Sequence, residues 1–335
     1  MKKKHYISLA VICLLIILYN IGPAPSKPKL SPTLPKIQAS VVTLDHYIQQ
    51  HESKHKLKPN NEARIVWAND SLKMPTAYSI VYLHGFSASQ EEGNPVHRQL
   101  AKEFGCNLYL SRLAEHGIDT TEQLINFTAD NIWESAKEAL VIGKQLGQKV
   151  ILMGTSTGGT LALKLAADYP NDVAALILYS PNIEINDPAA FFVNNPWGLQ
   201  VARIVKGGKY LTPPDHSAAY LKYWNSPYRL EAAVQLQELL ECTMNNETFK
   251  KIHQPVLSLY YYKDEQNQDK VVRVSAIKSM MQTISTPSEL KVEKAIPNAG
   301  DHVLASPIRS KDCNSVFLET KKFLSEILKS KYDHQ

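Results

Sequence analysis

Cysteine is scarce in this 335-residue sequence, which contains only four. Cys13 lies in an N-terminal apolar segment, and the spacing of Cys106, Cys242 and Cys313 matches no metal-binding motif. A fold held together by many disulfides is therefore not expected, although an oxidising compartment would allow one bridge between Cys242 and Cys313. We expect single buried thiols, and the sequence predicts neither a cofactor nor a metal.

A charge excess is also missing from most of the chain. The formal net charge is +5, but residues 1–36 hold six lysines and no acid, so the remaining residues carry a net charge of about −1. Such a balance does not favour a nucleic-acid-binding surface, and no nucleic-acid partner is expected. No internal repeat of fixed period is present.

Only one long uncharged run occurs, and it lies near the N-terminus. Residues 6–21 follow three lysines and approach the lower length of a membrane-spanning helix, about 17 residues. A cleavage site is poorly indicated, because Ala24 is followed by Pro25. We expect residues 1–22 to anchor the protein in a membrane of the cell envelope, with the rest facing outward. The alternative is a removed signal peptide and secretion.

The segment that follows the apolar run is rich in proline. Residues 23–36 contain five prolines and no acid, which is typical of an extended spacer. We therefore interpret residues 23–37 as a tether and residues 38–335 as one domain. A truncated protein that starts near residue 37 is expected to be soluble and active.

From about residue 60, short apolar runs alternate with longer amphipathic ones, which predicts the α/β class with a mostly parallel sheet covered by helices on both faces. The predicted strands are 63–68, 78–85, 106–113, 149–154, 174–180, 255–262 and 290–296. The predicted helices include 129–146, 158–168 and 315–329. Residues 183–250 hold many aromatic residues and no strong strand, so we expect an inserted helical cap of about those bounds.

The stretch VILMGTSTGG, residues 150–159, places Ser156 between Gly154 and Gly158 at the end of a predicted strand. Glycines there would let the chain turn sharply into a helix and present the serine hydroxyl. Such a hydroxyl needs a nearby base and donors for an oxyanion in order to attack an acyl carbon. We predict that Ser156 is the nucleophile and that the backbone N–H groups of Phe86 and Thr157 form the oxyanion hole.

The base is predicted to be His302, which follows the last predicted strand in a Gly-Asp-His step. A histidine base needs an acid on its other ring nitrogen. Asp264 and Asp269 both follow the preceding strand, and we favour Asp269 because an apolar pair comes directly after it; Asp264 stays the alternative. His84 and His116 are interpreted as residues that brace loops.

Residues 60–330 resemble the α/β-hydrolases related to monoacylglycerol lipases, carboxylesterases and serine aminopeptidases. The resemblance rests on YLHGF, LSRLAEHG, GTSTGG, DKVV and GDHV, and on the chain order serine, aspartate, histidine. The family's loop before the glycine of LSRLAEHG differs here at Ala114 and Glu115. The resemblance implies an α/β-hydrolase fold and a serine hydrolase that cleaves small carboxylic esters, with an apolar acyl or aryl group, through an acyl-enzyme.

Two other functions stay open at this point. An aminopeptidase would need carboxylates in the cap to hold the substrate amine, and Glu184, Asp187, Asp215 and Glu231 are available. A noncatalytic binding protein could have kept the fold, but such a protein need not retain a serine, a histidine and an acid in this order.

Overall fold

A computed structural model describes residues 2–329 of the chain. Its main sheet has seven strands in the spatial order β1-β3-β2-β4-β5-β8-β9, and all neighbours are parallel except the antiparallel pair of β1 and β3. These strands are β1 Arg64–Val66, β2 Thr76–Leu83, β3 Asn107–Leu110, β4 Gly147–Thr155, β5 Val173–Tyr179, β8 Val256–Tyr260 and β9 Lys291–Ala295. All seven predicted strands are confirmed, with shifts of one to three residues at their ends.

Helices precede, separate and follow these strands. They are α1 Lys2–Asn20, α2 Leu44–Glu52, α3 Val96–Glu103, α4 Ala129–Leu146, α5 Thr157–Asp168, α6 Gly198–Val205, α7 Ala218–Tyr223, α8 Leu230–Thr243, α9 Asn246–Lys250, α10 Val274–Thr283 and α11 Cys313–Lys329. Helix α4 begins at a capping box, in which Thr128 and Asn131 each accept from the other's backbone N–H. Helix α11 buries Val316, Leu324 and Ile327 on one face, as its sequence pattern predicts.

The sheet has a buried core on each side, which explains why its central strands are apolar on nearly every residue. On one side, Val81 and Leu83 of β2 pack with α4, α5, α8 and α10. On the other side, Ile80 and Tyr82 of the same strand pack with α3 and α11. The central strands are therefore fixed from both faces, and their carboxyl ends form a rigid edge.

The segment between β5 and β8 contains the predicted cap. It holds α6, α7 and a short antiparallel pair, β6 Tyr210–Leu211 with β7 Tyr228–Arg229. Helices α8 and α9 lie in the same segment but contribute Leu236, Leu239 and Phe249 to the main core. The part of the insertion that stands clear of the core thus ends before α8.

Residues 23–37, which we name the strap, contain neither helix nor strand, and they are bound to the domain where a free tether was expected. The indole Nε1 of Trp133 donates to the Ser31 carbonyl oxygen at 2.9 Å. The ammonium of Lys137, a fully buried side chain, donates to the carbonyl oxygens of Ser31 and Thr33 at 2.8 and 2.6 Å. Proline cannot donate from its nitrogen but keeps a carbonyl acceptor, so an extended Pro-rich chain suits these contacts.

The strap also reaches the cap and α8. Lys27 lies 3.2 Å from the buried carboxylate of Glu238 on α8, and Asn194 of the cap donates to the same carboxylate. The Trp197 backbone N–H donates to the Pro23 carbonyl oxygen at 3.1 Å, and its indole donates to Leu18 of α1 at 2.8 Å. The N-terminal segment therefore meets the domain beside the cap.

Helix α1 contains the segment predicted to be a membrane anchor, and its apolar side chains are exposed. None of the helices within residues 2–329 is both long and apolar enough to span a membrane. Met1 of the predicted anchor and residues 330–335 of the predicted domain lie outside the described residues. All four cysteines are free thiols, so the possible bridge between Cys242 and Cys313 is absent.

Candidate active site

Ser156 lies at the carboxyl end of β4, between the strand and the first residue of α5. Its backbone has φ 53° and ψ −118°, which is unusual for a residue with a side chain. The conformation is held by hydrogen bonds on both sides of the residue, from its N–H to the Tyr179 carbonyl and to its carbonyl from the Asn182 N–H. Local strain of this kind costs about 1–3 kcal/mol and persists where surrounding structure fixes it.

The glycines around Ser156 are required by close packing rather than by their backbone angles. Neither Gly154 nor Gly158 has positive φ, and Ser156 itself makes the strained turn. A Cβ on Gly158 would lie 1.9 Å from the Leu83 carbonyl oxygen, and a Cβ on Gly154 would lie 2.4 Å from the Gly158 backbone. The prediction that glycines allow a sharp turn without side-chain crowding is confirmed, because any Cβ at these two positions would prevent α5 from approaching β4 and β2.

The structure brings Asp269 and His302 together. The Nδ1 atom of His302 lies 2.7 Å from Oδ2 of Asp269, and the other carboxylate oxygen accepts the N–H groups of Val271 and Val272 at 2.8 and 3.1 Å. Burial raises the pKa of Asp269, but His302 and these donors outweigh it and leave the pKa lowered. Burial lowers the pKa of His302, but the adjacent Asp269 carboxylate outweighs this and leaves it raised.

Asp264, the alternative acid, lies away from His302 on an exposed turn. Its carboxylate accepts from the backbone and side chain of Asn267. Of the apolar pair that favoured Asp269, Val272 is fully buried in the core, whereas Val271 is 49% exposed. One buried valine therefore suffices to fix the loop.

Two buried histidines hold the loop that follows β2, as predicted for both. His84 accepts the Leu113 N–H on Nε2, so its Nδ1 carries the proton and donates to the Gly85 carbonyl at 2.9 Å. His116 accepts the Ser87 N–H on Nε2 at 2.9 Å. Burial lowers the pKa of His84 well below its usual value and lowers that of His116 to about 4, so both rings are neutral near pH 7.

Among the backbone N–H groups of this loop, that of Phe86 is not used by these contacts. Within residues 2–329, neither the Phe86 N–H nor the Thr157 N–H has a hydrogen-bond acceptor. Thr157 is the first residue of α5, where backbone N–H groups carry the positive end of the helix dipole. Both predicted donors are therefore available to an anion beside Ser156.

Ser156, His302 and Phe86 line one cavity of about 880 Å³ beneath the cap. Apolar side chains of α6 and α8 form much of its wall, including Val201, Val205, Ala233 and Leu236. Its volume lies within the range typical of small-molecule sites, about 300–1,000 Å³. The cavity can therefore take an apolar group that extends from Ser156 towards the cap.

An ionic cluster joins the His302 loop to the cap at this cavity. Arg309 donates to Asp301, the residue before His302, at 2.7 Å, and to Asp215 of the cap at 2.5 Å. Asn186, at the start of the cap segment, donates to the Asp269 carbonyl at 3.1 Å. The sequence indicated Asp215 only as a possible ligand of a substrate amine, and its contact with Arg309 could not be predicted because the two residues are 94 positions apart.

Comparison with known proteins finds one matching family and several solved structures with a similar fold. The family described as serine aminopeptidase, S33, matches residues 133–297. A solved structure of the metagenome-derived lipolytic enzymes LipS and LipT is similar with a TM-score of 0.64 at 16% identity, covering 82% of this chain and 100% of that one. The monoacylglycerol lipase of Paleococcus ferrophilus gives 0.59 at 15% identity, covering 79% and 98%.

A third similar structure is Est1E of Butyrivibrio proteoclasticus with bound ferulic acid, with a TM-score of 0.53 at 17% identity, covering 80% of this chain and 95% of that one. No curated protein sequence matches the chain. The sheet order, the turn at Ser156 and these neighbours together show that the chain has the α/β-hydrolase fold, and the family match covers just under half of its residues.

Proposed function

We propose that the protein is a serine hydrolase that cleaves carboxylic esters through an acyl-enzyme intermediate. The observation that carries the proposal is the Asp269–His302 pair, 2.7 Å apart, at the cavity that Ser156 also lines. Similarity to lipolytic enzymes, a monoacylglycerol lipase and an esterase supports ester substrates. We take the substrate to be a small molecule with an apolar acyl or aryl group, because the cavity wall is largely apolar.

In the proposed reaction, His302 takes the proton of Ser156 as the hydroxyl oxygen attacks the ester carbonyl carbon. Asp269 keeps the proton of His302 on Nδ1 and stabilises the imidazolium. The N–H groups of Phe86 and Thr157 stabilise the negative oxygen of the tetrahedral intermediate. The alcohol leaves with the proton from His302, and water then releases the acid by the same steps.

Ser156→Ala tests this mechanism. The variant lacks only a hydroxyl, so it should fold as the parent does but lose turnover of p-nitrophenyl butyrate by about 10⁴-fold or more. It should also lose labelling by a fluorophosphonate probe, which reacts with an activated serine. Ser87→Ala, on the same cavity, is the matched control. Unchanged turnover by purified Ser156→Ala would refute the mechanism.

An aminopeptidase is the second candidate, favoured by the description of the matched family. Such an enzyme needs a free carboxylate to hold the substrate amine, but three of the four cap carboxylates already pair with arginine. These pairs are Glu184 with Arg273, Asp215 with Arg309, and Glu231 with Arg203 and Arg229. Comparing p-nitrophenyl butyrate with amino-acid anilides separates the two functions.

Asp187 is the one of these four cap carboxylates that has no arginine partner among the described residues. It lines the cavity, and within the described residues it has no basic partner. Asp187→Asn should leave ester turnover unchanged under the esterase proposal. A large rise in KM for an anilide substrate with the same variant would support the aminopeptidase instead.

We also propose that residues 1–22 attach the protein to a membrane of the cell envelope, with the catalytic domain outside. The proposal is supported by the uncharged run at 6–21, by the preceding lysines and by the exposed apolar side chains of α1. Secretion after cleavage is the alternative.

A further inference from the structure

Glu92 is a buried carboxyl group at the cavity that the mechanism above does not use. It lies on a 3₁₀ turn, Gln90–Gly93, just after the loop that carries Phe86, and it is 2% exposed. It lines the same cavity as Ser156 and His302. Within residues 2–329 it pairs with no lysine or arginine, unlike Asp215 and Asp301 at the same cavity.

The Glu92 carboxyl is in direct contact with the oxyanion loop. Its Oε2 atom accepts the Gly85 N–H at 2.6 Å. A Cβ on Gly85 would lie 2.8 and 2.9 Å from the two carboxyl oxygens and 3.2 Å from the Ser156 Cβ. The carboxyl, the Cα of Gly85 and Ser156 are therefore stacked against one another, and only glycine fits between them.

We propose that Glu92 is a positioning residue for the proposed hydrolysis: it fixes the Gly85 peptide beside the oxyanion donor and places a second negative charge near His302. Asp269 acts on the Nδ1 side of His302, and Glu92 lines the same cavity as His302 and attracts its positive charge. Both charges favour the imidazolium that forms when Ser156 gives up its proton. The proposal rests on the proposed function, because His302 must act as the base.

The surroundings of Glu92 leave His302 as its main proton-exchanging neighbour. Tyr82 of β2 and Tyr220 of α7 also face it; burial raises the pKa of Tyr82 well above 10 and that of Tyr220 to about 12, so both stay neutral. Asp301 is paired with Arg309. Burial raises the pKa of Glu92 to about 7, and the carboxylates of Asp269 and Glu92 raise the pKa of His302 against the effect of its burial.

Coupling between these two groups gives a specific pH dependence. A base must be neutral, so turnover falls as the pH drops through the pKa of His302. The charge of Glu92 raises that pKa. Removing the charge should therefore move the acid limb of kcat/KM to lower pH.

Glu92→Gln is the appropriate change, because the side-chain oxygen can still accept the Gly85 N–H while the charge is lost. We expect the acid limb of kcat/KM for p-nitrophenyl butyrate to move down by about 0.5 pH unit or more, and kcat at pH 8 to fall by about tenfold. KM should change little. If Glu92 only supported the loop, Glu92→Gln would not change the pH at which kcat/KM falls.

Glu91→Gln is the matched control, since Glu91 lies on the same turn, bonds to Asn94 and is not part of the cavity wall. Its pH profile should equal that of the parent. The His302 pKa is measured in parallel by NMR of the imidazole protons, assigned by their loss in His302→Gln. It should fall in Glu92→Gln and stay constant in Glu91→Gln.

The two measurements separate this proposal from the proposed function. A parent protein with neither turnover nor fluorophosphonate labelling would refute the hydrolase, and the NMR titration would still decide whether Glu92 acts on His302. An unchanged His302 pKa in folded Glu92→Gln, or an unmoved acid limb in an active enzyme, would overturn the role of Glu92.

Discussion

At the scale of single residues, Asp269 and Asp264 differ in what their carboxylates contact. Asp269 is buried against His302, and two backbone N–H groups hold its second oxygen. Asp264 is exposed, and its hydrogen bonds stay within its own turn. A carboxylate that orients a histidine base must bond to the ring, and of the two only Asp269 does so.

Asparagine substitutions at the two positions give a paired prediction. Asp269→Asn should reduce kcat by up to about 10⁴-fold, because the amide permits the wrong tautomer of His302 and gives the imidazolium no charge. Asp264→Asn should keep nearly normal turnover. Kinetics of both purified variants with p-nitrophenyl butyrate make the comparison, and the reverse pattern would exclude Asp269 as the acid.

Residue-level prediction from sequence works where a local pattern carries the signal. Ser156 and His302 stand beside strand ends, and Asp269 precedes a valine that packs in the core, so their positions can be read locally. Glu92 stands in the polar run SASQEEGN and resembles a solvated residue. Several residues that interact with it, including Tyr220 and Asp301, are more than a hundred positions away in the chain, and no local pattern predicts its burial.

At the scale of elements, the strap is where the sequence interpretation and the structure differ most. Proline content predicted its extended form but not its docking, because its acceptors are backbone carbonyls that any sequence possesses. The specific partners are on α4, where Trp133 and Lys137 are both fully buried. A lysine inside an otherwise apolar helix face was the available signal, since buried ammonium groups need acceptors.

The strap should therefore be required for stability, contrary to the expectation that a protein starting near residue 37 is intact. Deleting residues 1–37 leaves the Lys137 ammonium with Glu134 alone and leaves the Trp133 indole without an acceptor. The free energy of unfolding should fall by about 3–5 kcal/mol, measured by urea denaturation.

A control deletion and a rescue variant sharpen this test. Deleting residues 1–22 keeps the strap and should leave stability unchanged. Lys137→Met should destabilise the full chain but recover part of the stability lost in the 1–37 deletion, because it removes an ammonium short of acceptors. Equal stability of the two deleted proteins would contradict the structural role of the strap.

At the scale of the whole molecule, the sheet and its two helical layers were predictable because each strand is apolar enough to be recognised alone. The spatial order of the strands was not, since it depends on crossovers between distant segments. The extent of the cap was also ambiguous, because α8 and α9 follow the same aromatic-rich stretch but join the main core.

The proposed attachment to a membrane gives a prediction for the 335-residue chain. The full chain should sediment with membranes, and the protein without residues 1–22 should appear in the soluble fraction with the same specific activity. The reason is that exposed apolar side chains are concentrated in α1, whereas the rest of the chain has almost no net charge. A native protein that begins near Pro25 and is soluble would indicate a cleaved signal peptide instead.

Because the strap is docked, it does not act as a flexible linker that would let the domain move relative to α1. A free chain of residues 23–37 could reach about 50 Å and let the domain rotate in any direction. Here the Pro23 carbonyl is bound to Trp197 of the cap, and the carbonyls of Ser31 and Thr33 are bound to α4. A partner that holds α1 would therefore hold the domain with its cap side nearest, and the fold would set the orientation of the cavity.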